Sequence, residues 1–144
     1  MEGSYERVHS MPGYYDGPVL GVADFEGQPH VYYRIDELDD PTFALKPIPA
    51  ALMPLVLEDW QIWLRWQAAF NAGRTPKETH PSLPEDRARD KELETALEAL
   101  YRVDPVGALR AHATFRAVVP GHYWPNGGAL EVQWRRAADP HVSS

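Results

Sequence analysis

The chain has no cysteine among its 144 residues. That absence excludes a disulfide framework, thiolate catalysis and cysteine-ligated zinc or iron–sulfur chemistry. Long apolar runs are missing as well. The most apolar stretch, residues 50–57, is followed at once by Glu58 and Asp59. It is far short of the roughly 20 residues a membrane helix needs. Residues 1–15 are polar and mixed in charge, without the apolar core of a signal peptide. These absences predict a cytoplasmic protein with no membrane segment. Phosphate-binding glycine loops and a GxSxG nucleophile turn are also lacking. The histidines, at positions 9, 30, 80, 112, 122 and 141, never fall at HxH or HxxxH spacing. The sequence therefore predicts no metal and no cofactor.

Large apolar side chains are plentiful: five Trp, seven Tyr and four Phe. A chain of this length buries roughly 70 % of its unfolded surface, enough for a core without staples. The net charge of −7 is unevenly spread, with −6 over residues 1–49, −3 over 50–104 and +2 over 105–144. Nucleic-acid binding normally carries a strongly basic footprint, so this balance argues against it. The acidic half suits a basic partner. Oligomeric state is not legible.

Residues 19–25 and 30–35 are rich in β-branched and aromatic residues and flank Glu26-Gly27-Gln28-Pro29, which predicts a hairpin. Residues 42–46 add a short third strand. The period then changes. Leu52, Val56, Trp60, Trp63, Leu64 and Phe70 recur at helical spacing, with Pro54 in the first turn and Gly73 at the end. A second helix is expected up to Tyr101, with Leu93, Ala96, Leu97 and Leu100 as its buried stripe. Alternation returns over 109–119, where abundant alanine leaves a helix as the alternative to a strand, and over 130–135. The order β-β-β-α-α-β-β, without repeated βαβ crossovers, predicts an α+β domain over residues 16–136. Its antiparallel sheet has about five strands and carries a two-helix layer on one face. Residues 1–15 read as a loose arm and 137–144 as a disordered tail.

The candidate site residues each have two readings. Trp60, Trp63 and Trp66 lie on a helix apolar over most of its circumference. They are either core or, with Tyr123 and Trp124 in a turn-rich loop, aromatic anchors for a protein partner. Asp59 falls inside the apolar arc, where a carboxylate is costly unless paired. It is either a structural ion pair or a pocket acid with raised proton affinity. Asp24 and His30 flank the hairpin, as a surface pair or as a carboxylate orienting an imidazole. Arg110, His112, Arg116 and Arg135 form a cationic face, suited to carboxylate or phosphate or paired with the chain's own acids. The leading expectation is a non-catalytic protein-interaction module of adaptor, antitoxin-like or immunity-like type. The alternative is a small acid–base enzyme using Asp59, Asp24 and His30, with its pocket between sheet and helices.

Overall fold

The computed structural model describes residues 4–14, 17–102, 104, 106–121 and 128–137. Six strands run in chain order: β1 (Glu6–Tyr14), β2 (Pro18–Phe25), β3 (Gln28–Arg34), β4 (Thr42–Pro47), β5 (Leu109–Ala117) and β6 (Leu130–Arg136). Two helices, α1 (Met53–Asn71) and α2 (Arg87–Tyr101), are inserted between β4 and β5. Every strand pairs antiparallel with its neighbour in sequence. β1 also pairs with β6 through Glu6↔Val132 and Arg7↔Glu131. The sheet is thus a closed barrel of order β1-β2-β3-β4-β5-β6.

This overturns the expected open sheet with helices on one face. The difference lies in residues 6–14, which join the wall as β1 instead of forming a loose arm. Their register against β2 shifts between Val8 and Ser10, again before Gly13, and again before Tyr14. Each shift bends and twists the strand, letting β1 wrap from β2 to β6. The same irregularity erases the period-two signal that identifies a strand. Most of the expected tail, residues 138–144, lies outside the described residues.

The β2–β3 hairpin turns on Glu26 and Gly27, at φ 52° and 80°. Two successive positive φ values match the twist of a tight hairpin. The Glu6 carboxylate accepts hydrogen bonds from both turn amides, Glu26 N at 3.1 Å and Gly27 N at 2.7 Å.

The barrel interior is filled by Phe25, Tyr32, Phe43, Leu45, Val132 and Trp134, with Phe115 packed against them. Their rings meet edge to face; Phe43 and Trp134, for example, are 5.8 Å apart at 77°. Such pairs add to the area they bury. Two polar groups are satisfied within this core: Tyr32 Oη donates to Ser10 O at 3.0 Å, and Trp134 Nε1 donates to Asp24 O at 2.9 Å.

Outside the wall, Val22 packs with Val56 of α1 and Leu97 of α2, while Val31 and Ala44 lie against Leu100 and Tyr101. Both faces of β2, β3 and β4 are therefore covered in this region. Trp60 packs on Met11 and Leu130. Val8 and Phe115 touch both this group and the barrel interior, so α1 closes the core at that end. No helix of the described residues is long and apolar enough to cross a membrane.

Candidate functional site

The polar strip of α1 ties the two helices together. Glu58 accepts two hydrogen bonds from Arg89, both 2.7 Å, and Arg65 donates two to Asp86, both 3.0 Å. Arg89 also reaches Glu92 at 3.1 Å. These bidentate pairs occupy Arg65 and Arg89. Asp59, one position from Glu58, lies on the side toward Asp90 and Glu94 of α2, with no counter-ion among the described residues.

A cleft of about 610 Å³ opens at this seam. Asp59 and Trp63 of α1 line one side, and Pro12 of β1 and Pro81 close the end. From α2 come Asp90, Glu94 and Glu98, four residues apart and so stacked on one helical face. Tyr101 and Arg102 complete the lining. Arg102 is held by Glu98. Among the described residues, no cation pairs with Asp59, Asp90 or Glu94.

Burial pushes the Asp59 carboxyl up to about 6, and the like charges of Asp90, Glu94 and Glu58 add to the effect. Burial also raises the Tyr101 phenol, with the Asp59 charge as the second cause. Both effects express one condition: negative charge is crowded here with too little water or cation to balance it. The indole Nε1 of Trp63 is buried without a hydrogen-bond partner among the described residues.

The three tryptophans divide. Trp60 and Trp66 are core, at 8 % and 4 % exposure. Trp66 Nε1 donates to Thr79 Oγ1 at 2.7 Å, and its ring stacks on Phe70. Trp63 is half-buried, stacked on Trp60 at 6.2 Å and edge-on to His80 at 4.4 Å, and it faces the cleft. Tyr123 and Trp124 lie outside the described residues.

Asp24 and His30 are not partners. His30 sits opposite Ala23, and its Nδ1 lies 2.7 Å from Gln28 O. Asp24 instead accepts from His9 Nε2 at 2.8 Å. Sequence reasoning missed His9 because it left β1 out of the sheet. Neither Asp24 nor His30 lines the cleft of Asp59.

The cationic face is largely neutralised from within. Asp40 receives two hydrogen bonds from Arg135, at 2.8 and 3.1 Å, and lies 3.7 Å from His112 Nδ1. Those contacts, Arg135's hydrogen bonds first, hold the Asp40 carboxyl below its usual range. Arg116 pairs with Glu131 at 2.6 Å and lies over the Tyr5 ring. Arg110 has no carboxylate partner among the described residues.

Among the described residues, no group of three or more ligating side chains is gathered closely enough to hold a metal ion. No family model, curated protein or solved structure matches the chain.

Proposed function

We propose that this chain is a non-catalytic interaction module whose protein partner inserts a basic segment into the α1–α2 cleft. The observation that carries this reading is the cleft's excess of unpaired carboxylate: Asp59, Asp90 and Glu94 converge beside the Trp63 and Tyr101 rings. A lysine or arginine entering there meets opposite charge and aromatic faces together, two features that favour a cation. The concavity is within the size range of binding sites. The uneven charge of the chain supports the same choice, since 19 of its 21 acids lie before residue 105.

An octalysine peptide titrated against the full chain tests the reading, with tryptophan emission as the signal. We expect saturable binding that weakens with added salt. Reversal of Glu94 to Lys weakens it by about tenfold or more, since a like charge replaces an attractive one. Binding unchanged by that reversal, or no binding, overturns the reading.

The acid–base enzyme reading has one observation in its favour, the raised proton affinity of Asp59. Asp24 and His30 lend it nothing, and the cleft lining contains no histidine.

A further inference from the structure

This inference rests on the reading of the cleft as the seat of a basic segment, and concerns how that seat is regulated. The carboxylates of the helix pair fall into two groups. Glu58, Asp86, Glu92 and Glu98 each hold an arginine at the surface. Asp59 does not. It is partly buried and lines the cleft together with Asp90 and Glu94 of α2, whose charges it feels, with Glu58 beside it on its own helix. The Tyr101 phenol approaches from the end of α2, and the paired Glu98 and Arg102 stand beyond it. From β1 the lining contributes Pro12, which carries no charge. From the link between the helices, His80 packs against Trp63 and feels the charge of Asp90.

An incoming cation changes this balance at one point above all. It supplies Asp59 with the counter-charge that neither helix provides, and it excludes the remaining water from a carboxylate already partly withdrawn from solvent. Proton and cation therefore compete for the same group. We propose that Asp59 is a proton gate: the cleft holds its basic segment while Asp59 is ionised and releases it when mild acidification protonates that carboxyl.

The direction follows from linkage. A carboxyl whose midpoint stands near 6 is mostly ionised at about pH 7 and only about one-tenth ionised at about pH 5. If only the ionised form binds, the apparent affinity falls by that fraction. Lysine side chains keep their charge throughout this range, so the peptide contributes nothing to the change.

The test is octalysine affinity for the full chain at about pH 7 and about pH 5. We expect a loss of about tenfold in the wild type, while Asp59→Asn, neutral at both pH values, is already as weak at about pH 7 as the wild type at about pH 5 and changes by less than about twofold. Asp59→Glu restores the pH dependence, which guards against an Asn variant that folds poorly. His80→Phe keeps a ring against Trp63 and retains the tenfold loss. A pH dependence that disappears with His80, or persists in Asp59→Asn, overturns the gate. Tight binding that ignores pH leaves the cleft reading standing and removes the gate. Absence of binding at both pH values removes both.

Discussion

His9 and Asp24 join β1 to β2 through their side chains, with imidazole Nε2 2.8 Å from the Asp24 carboxylate and both groups largely covered. This contact lies beside the stretch where the β1–β2 register shifts, between Val8 and Ser10. It holds in place the strand whose pairing is least regular.

His9→Ala leaves Asp24 without that donor. Hydrogen bonds to charged groups are worth about 1.5–3 kcal/mol, and the partial exposure of Asp24 lowers the figure. We expect a loss of about 1–2 kcal/mol in urea unfolding, with the slope of the transition unchanged. A variant as stable as wild type shows that β1 is held by its backbone alone.

Gly21 faces the barrel interior, where an added Cβ meets Tyr32 Oη at 2.6 Å and collides with the Ser10 carbonyl. Neither atom retreats cheaply, because the Tyr32 phenol donates a hydrogen bond to that carbonyl inside a filled core. Gly21→Ala is expected to cost about 3 kcal/mol or more, or to prevent folding. The change is visible as a drop in melting temperature or loss of near-ultraviolet circular dichroism.

Trp60 and Trp63 are stacked neighbours with different duties. Trp60→Ala opens a void where α1 closes the barrel and is expected to cost about 3–5 kcal/mol. Trp63→Ala removes a half-buried ring and costs less, while octalysine binding falls by about tenfold. Chemical denaturation of both variants, with peptide titration of the second, checks the division.

The raised Asp59 midpoint has a definite sign in stability. Between about pH 4 and about pH 6 the folded chain holds a proton there that the unfolded chain has released. That contribution is complete below the unfolded value, near 4, and is lost as pH rises through about 6. Asp59→Asn should match wild type at about pH 4 and exceed it by about 1 kcal/mol above pH 7, after discounting for solvent screening. Equal stabilities across the range show that the unliganded carboxylate is not strained by its neighbours.

Local patterns carried far in this sequence. Val56, Trp60 and Trp66 mark the buried side of α1, and the placement of Asp59 beside Trp63 follows from 100° per residue. Alternation over 109–117 puts Ala111 and Phe115 inward and leaves Arg116 exposed. What local patterns do not carry is pairing between distant segments. Closure needs Glu6 opposite Val132, a relation no periodicity encodes. The Asp24 partner was hidden for the same reason: its hydrogen bond depends on a strand whose bulges disguise it. The lack of an arginine for Asp59 was also invisible, because Arg65 and Arg89 find partners only once the helices are packed.

Sealing β1 against β6 has a further consequence. Among the described residues the ring closes at Glu6↔Val132 and Arg7↔Glu131, so neither β1 nor β6 presents its whole length as a free row of amides and carbonyls for a foreign chain to extend. A seventh ribbon would meet an interrupted edge, which shifts selection among visitors toward side chains. Deleting the first strand would undo this protection twice over, baring β2 and β6 together and inviting edge-to-edge aggregation.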